Sequence, residues 1–127
     1  KDTEDSFASA ANYLKTIGWK KNQPCFFRVD LRDNIPKKYL NSSARNIKNK
    51  RRVNFFKKYI KNFDDLKIQD NLNTAIIIPD KDIIPGAETL TPAYIVFENY
   101  EKILNWNRSL RFALAVCTLK ESFQNEI

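Results

Sequence analysis

The chain has 127 residues, 43% of them hydrophobic and 13% aromatic, with 22 Lys and Arg against 15 Asp and Glu and a net charge of +7. This is one domain's worth of chain with enough apolar residues for a modest core, which excludes a disordered protein. It holds no His, only two Gly and two Cys, and no apolar run near the ~20 residues that cross a bilayer, which excludes His-based triads, most zinc sites, phosphate-cradling glycine loops and a membrane-spanning helix.

The elements follow from periodicity. Thr3 is an N-cap with Glu4 and Asp5 in the first turn, where negative charge suits the helix dipole. Phe7, Ala10, Ala11, Leu14 and Ile17 keep helical spacing until Gly18 stops the helix. Cys25 to Leu31 alternates as a strand, with Phe27 and Val29 against Arg28 and Asp30, and Asp33 to Pro36 is turn material. Asn41 to Lys50 reads as a polar insertion. A short helix is expected over 51–61, since Val53, Phe56 and Ile60 share a face, as do Phe55 and Tyr59. Thr74 to Ile78 is a strand stopped by Pro79, Asp80 to Thr91 a loop, and Ala93 to Phe97 a further strand. One long helix is expected from Tyr100 to about Gln124, carrying two apolar stripes: Ile103, Trp106, Leu110, Leu114 and Cys117, then Leu104, Phe112, Val116, Leu119 and Phe123. The order implies an α+β fold with a small sheet between two helices.

Inside the expected terminal helix sit Asn107, Arg108 and Ser109, polar groups that a buried helix must satisfy or present to a ligand. The charge is equally uneven. Between Asp33 and Asp64 there is no acidic residue but ten basic ones, Lys37, Lys38, Arg45, Lys48, Lys50, Arg51, Arg52, Lys57, Lys58 and Lys61. The rest of the chain then has 12 basic and 15 acidic residues, a net of −3. The block suits an anionic polymer, with Tyr39, Phe55, Phe56 and Tyr59 as stacking platforms if that polymer is nucleic acid. The alternative is a solvated face shaped by an AT-rich genome, which the abundance of Lys, Asn and Ile throughout the chain favours.

Asn99 to Val116, N-Y-E-K-I-L-N-W-N-R-S-L-R-F-A-L-A-V, resembles N-[FY]-x-x-I-x-x-[YW]-N-x-S-x-x-[YF]-A-x-A-V near the end of the catalytic domain of B-type lytic murein transglycosylases. Glu4 to Leu14 with Gly18-Trp19 is similar to the same family's E-D-x-x-x-S-x-A-N-Y-L-x-x-x-G-W helix. A looser third block is Ala75 to Asp80, then Ala93 to Val96. The three stand in the family's order and cover both ends of the chain.

The resemblance implies a lysozyme-like α+β fold within the C-terminal part of a transglycosylase catalytic domain: residues 1–19 a helix of the α-domain, 24–97 the inserted sheet region, 98–127 the terminal helix. It implies cleavage of the β-1,4 bond between N-acetylmuramic acid and N-acetylglucosamine with formation of a 1,6-anhydro ring, by one glutamic acid acting as acid and then base. In the family that Glu lies in an E-S motif upstream of the S-x-A-N-Y-L helix, and neither it nor the acidic D-x-D-G stretch before that helix is present here. Glu4, Glu88, Glu98, Glu101, Glu121 and Glu126 show no apolar setting that would raise a carboxyl for acid work, so the chain as given is expected to be inactive. A chain starting at Lys1 without Met suggests a mature product or a piece of something longer.

Ser9 matches the serine that lies against the catalytic Glu, and Asn12 and Tyr13 brace the cleft or its helix. Asn107 is the foremost candidate for substrate contact, because its amide offers two donors and an acceptor to an N-acetyl group; a buried tie from helix to loop is its alternative. Trp106 stands where the family more often has Tyr, and either stacks on a pyranose or fills the core. Arg108 suits a carboxylate of the glycan or its stem peptide, Ser109 bonds back to its own helix, and Trp19 is a core aromatic. No metal and no cofactor are expected. The implied partner is the peptidoglycan glycan strand, with no nucleic acid, no transmembrane segment, a monomeric chain and a periplasmic or envelope location. Export would permit Cys25 and Cys117 to pair, whereas their apolar surroundings favour buried free thiols. A non-catalytic glycan-binding module of the same fold and, behind it, a basic nucleic-acid-binding domain are the competing readings.

Overall fold

The computed structural model describes residues 12–20, 23–43, 46–79 and 92–123, with side chains except at 106 and 120–123. The expected N-cap at Thr3, Ser9, Arg45, the 80–91 loop with Glu88, and the side chains of Glu121 and Glu126 lie outside this description.

Helix α1, described over 12–16, ends as Gly18 predicts. Gly18 takes φ +91°, its N–H donates to the Lys15 carbonyl at 3.2 Å, and the Trp19 N–H donates to the Leu14 carbonyl at 2.8 Å. This is the paired bonding of a Schellman cap, completed by packing of Leu14 and Trp19 in one apolar cluster.

The sheet is built of β1 (Phe26–Val29), β2 (Leu40–Asn41), β3 (Arg51–Arg52), β4 (Asn73–Ile77) and β5 (Ala93–Val96), in the order β1-β5-β4-β2 with β3 also on β4. Antiparallel β5 lies between β1 (Phe26 opposite Val96, Val29 opposite Ala93) and β4 (Ala75 opposite Val96, Ile77 opposite Tyr94). β2 runs parallel to β4, and β3 antiparallel to it. Strand alternation sends Ala75, Ile77 and Val96 into one core with Leu14, Tyr100, Ile103, Leu104 and Leu110. It sends Ile76, Ile78 and Ile95 into a second core with Val29, Val53, Phe56, Ile60 and Phe63.

The α+β expectation therefore holds, with differences in detail. The expected 51–61 helix is only α2 (Val53–Phe56) with a 3-10 turn over Lys57–Tyr59, because Arg51 and Arg52 are drawn into the sheet against Thr74 and Asn73. Val53, Phe56 and Ile60 do share the buried face. Part of the supposed polar insertion is strand β2: the buried Asn41 donates to the Ile76 carbonyl at 2.9 Å and accepts the Lys48 N–H at 2.8 Å.

The single terminal helix is two, α3 (Glu98–Trp106) and α4 (Leu110–Phe123). Asn107 caps α3 in extended backbone (φ −137°, ψ 114°), and Ser109 starts α4 by accepting the Phe112 N–H on Oγ at 3.1 Å. Short polar side chains that bond their own backbone compete with helix continuation, which explains the break at Asn-Arg-Ser. The buried Tyr100 hydroxyl donates to the Leu110 carbonyl at 2.9 Å and bridges the two helices. In the first expected stripe Ile103, Leu110 and Cys117 are buried and Leu114 is half-buried; in the second Leu104 is buried, Phe112 and Val116 are half-buried and Leu119 is 53% exposed.

Cys25 and Cys117 are bonded in a disulfide with Cα atoms 6.0 Å apart, so the expectation of two free thiols is corrected. Apolar burial (2% and 3% exposed) suits a disulfide as well as it suits thiols. The bridge fastens the strand layer to α4 across 92 residues of sequence.

Two expectations follow. Closing a loop of this length restricts the unfolded chain by about 4 kcal/mol, so reduction should lower the calorimetric Tm by on the order of 10 °C; an unchanged Tm would show that the bond is not formed in solution. Burial pushes the Tyr100 phenol above the ordinary tyrosine range. A raised folded pKa gives stability present below the unfolded value of about 10 and lost as pH rises beyond it. Tyr100→Phe should cost about 1 kcal/mol in urea at pH 7 and lessen the alkaline fall in stability; parallel pH profiles for the two proteins would refute this role.

Candidate functional site

The helix break is the place where the sequence-derived site residues come to the surface. Asn107 and Arg108 are both exposed there and Ser109 is half-buried. The Asn107 backbone is fixed on both sides, its N–H donating to the Ile103 carbonyl at 2.9 Å and its carbonyl accepting the Ser109 N–H at 2.8 Å. Its side-chain amide has no hydrogen-bond partner among the described residues, which leaves two donors and an acceptor facing solvent. Ser109 bonds back to α4, as its type predicts.

The buried asparagine that ties helix to loop is Asn99. Fully buried at the start of α3, it accepts the Lys20 N–H at 2.8 Å and donates to the carbonyls of Lys20 at 2.9 Å and Gln23 at 3.1 Å. Sequence reasoning missed this role; the signal was its place one residue into an apolar helix with no reason to be polar. Asn12 and Tyr13 lie on the exposed side of α1, with Tyr13 52% exposed while Leu14 between the helices is buried. Trp19 packs on the helical core, as expected of a core aromatic. The structure joins Asn107 and Arg108 in one segment and places Asn12 and Tyr13 together on α1. Trp106 belongs to the last turn of α3.

The described carboxylates near this layer are committed to lysines. Glu98 faces Lys20 at 3.1 Å and Lys102 at 3.6 Å, and Glu101 faces Lys50 at 2.6 Å. The hydrogen bond from Lys20, followed by the positive charges of Lys20 and Lys102, holds the Glu98 carboxyl below the usual glutamate range. That is the opposite of what a general acid requires. Among the described residues no group of three or more potential ligands could hold a metal ion, and no helix is long and apolar enough to cross a membrane.

The basic segment forms a layer of its own. Tyr39, Phe55, Phe56 and Tyr59 pack ring to ring with centroids 5.1–6.0 Å apart. Arg51 lies over Phe55 at 4.8 Å, Lys58 over Phe55 and Tyr59 at 5.0 and 5.1 Å, and Lys38 over Tyr39 at 5.2 Å. The rings are occupied by one another and by cations, so the expected stacking platforms for bases are not presented.

The family model described as the transglycosylase SLT domain matches residues 1–121. Two solved structures of SltB3 from Pseudomonas aeruginosa, in complex with NAG-NAM-pentapeptide and with NAG-anhNAM-pentapeptide, are similar to it. Each has 28% identity and a TM-score of 0.65 over 94% of this chain and 30% of that chain. The chain thus spans about a third of the length of these neighbours. No curated protein matches it. The β1-β5-β4-β2 sheet clasped by α1, α3 and α4 is accordingly a lysozyme-like arrangement related to a B-type lytic transglycosylase. With the family's model matched from Lys1 to Glu121, the chain belongs to the transglycosylase SLT domain family.

Proposed function

We propose that this chain is the C-terminal part of the catalytic domain of a peptidoglycan lytic transglycosylase, acting on MurNAc-GlcNAc β-1,4 bonds to leave 1,6-anhydro-MurNAc, with the acid/base Glu outside these 127 residues. The observation that carries the reading is the family match along the chain together with a fold shared with SltB3, whose two structures hold a pentapeptide-bearing disaccharide and its anhydro form. The lowered Glu98 and the ion-paired Glu101 support an acid supplied from elsewhere. On this reading the isolated chain is inactive.

Its own contribution is to hold the sugar. The open Asn107 amide, on a backbone locked at Ile103 and Ser109, meets an N-acetyl group; Arg108 beside it meets a carboxylate. Asn12, Tyr13 and Trp106 are further sugar contacts, and Ser9 orients the catalytic carboxyl. The buried disulfide supports an oxidising compartment, hence a periplasmic or envelope location. The glycan strand is the partner, and the chain acts as a monomer.

A glycan-binding module without catalysis is the second reading, supported by the same open amide and by the ion pairs that occupy Glu98 and Glu101. The two separate in one assay. In an enzyme that joins this chain to the rest of an SLT catalytic domain, sacculi should yield anhydro-muropeptides by mass spectrometry, and Asn107→Ala should cut turnover tenfold or more. Full turnover in the variant would remove Asn107 from the site. Binding to sacculi with no anhydro product from the joined enzyme would establish the module instead.

A further inference from the structure

A second site lies at the β2 edge of the sheet, where the basic segment closes an open cavity of about 510 Å³. It is lined by Lys37, Lys38 and Lys48 together with Ser42 and Asn46. All three lysines are exposed, and none has a carboxylate within ion-pairing distance among the described residues.

The backbone beneath them is held in place. Asn41, 7% exposed, grips Lys48 from both sides, accepting its N–H at 2.8 Å and donating to its carbonyl at 3.1 Å. Asn49, in the left-handed region at φ 58°, donates its side-chain amide to the Lys38 carbonyl. Lys37 and Lys38 are themselves wound into a 3-10 turn over Lys37–Tyr39. A merely solvated face has no need of side-chain amide clamps under its charges. Like charges gathered around one cavity repel one another and are relieved by an anion.

We propose that this cavity binds the carboxylates of a peptidoglycan stem peptide. The proposal rests on the peptidoglycan reading above, which supplies a ligand whose glycan is neutral along the strand apart from its peptide branches. Lysine ammoniums suit carboxylates that approach from several directions, and Ser42 and Asn46 suit the amides between them. Single-stranded nucleic acid fits less well, since the neighbouring rings of Tyr39, Phe55, Phe56 and Tyr59 are packed and covered by cations.

The test is an NMR titration of the 127-residue chain with four probes: a disaccharide-pentapeptide, the same compound with its peptide carboxylates amidated, the peptide-free disaccharide with its lactyl carboxyl amidated, and a single-stranded DNA oligonucleotide. The variant carries Lys37→Gln, Lys38→Gln and Lys48→Gln; a control carries Arg28→Gln, Arg32→Gln and Lys67→Gln, losing the same charge elsewhere. The variant should bind the disaccharide-pentapeptide about tenfold more weakly, a loss reproduced in the parent by amidation, with the peptide-free disaccharide unaffected. Equal binding of the amidated and free-acid compounds, or an equal loss in the control, would overturn the site while leaving the glycan reading intact. Lysine-dependent binding of DNA alone would overturn it in favour of a nucleic-acid face. Failure of every wall fragment to bind would overturn both readings. Lysine-dependent binding of the peptide compound without any of the peptide-free disaccharide would keep the site and remove only the glycan contact at Asn107.

Discussion

Everything in this fold hangs on β4 being buried on both faces. From Thr74 to Ile78 no residue is more than 3% exposed, and alternate side chains feed different cores. Ala75 and Ile77 face the helices; Ile76 and Ile78 face the layer that carries the basic segment. A strand apolar on both faces reads as a continuous run, and its register is fixed by what lies to each side. Thr74, its polar member, is satisfied by donating Oγ1 to the Val96 carbonyl at 2.6 Å. Displacing this strand would loosen the helical layer and the basic layer together.

On the helical side, buried polar groups place the exposed ones. Asn99 and Tyr100 are consecutive and fully buried, yet they point to different tasks: one holds the backbone of Lys20 and Gln23, the other reaches across the break to Leu110. The disulfide then fixes α4 to the strand layer. The segment that carries Asn107 and Arg108 is held at both ends, at Ile103 and at Ser109. Sites of this kind owe their precision to the supporting residues beneath them.

What the sequence made legible follows from where apolar periodicity is the deciding force. β4 and β5 were plain as short apolar runs, and Gly18 was plain as a stop because a left-handed cap favours glycine. The break at 107–109 was hidden by phase: Ile103, Leu110 and Cys117 recur every seven residues, so the stripe continues through the interruption as if the helix did. Only the polarity of Asn-Arg-Ser hinted otherwise. β2 is two residues long and one of them is Asn41, below what alternation can reveal. Arg51 and Arg52 were assigned by their neighbours' helical spacing and lost to the sheet by pairing that local sequence does not encode. Apolar surroundings could not distinguish a disulfide from two thiols, since both are small and apolar when buried.

The basic layer is where composition and structure pull apart. A biased genome accounts for lysine in place of arginine or serine on a solvated face, and most of these ammoniums are indeed exposed. Among the described residues of the segment, only Lys50 reaches a carboxylate, Glu101 of α3. The others, of one sign and without a carboxylate partner among the described residues, repel one another, the more so at low salt. Cation-π contacts from Lys38, Arg51 and Lys58 offset part of that cost, and they do so by covering rings that would otherwise stack on bases. They offset nothing at Lys37 and Lys48. Composition explains why lysines stand at those two positions; it does not explain why Asn41 is buried to hold one of them, nor why Asn49 adopts left-handed backbone to hold the turn of the other. Rigid backbone under unpaired charge is the arrangement by which proteins hold a field ready for an anion, because the repulsion is then met once in folding and relieved on binding.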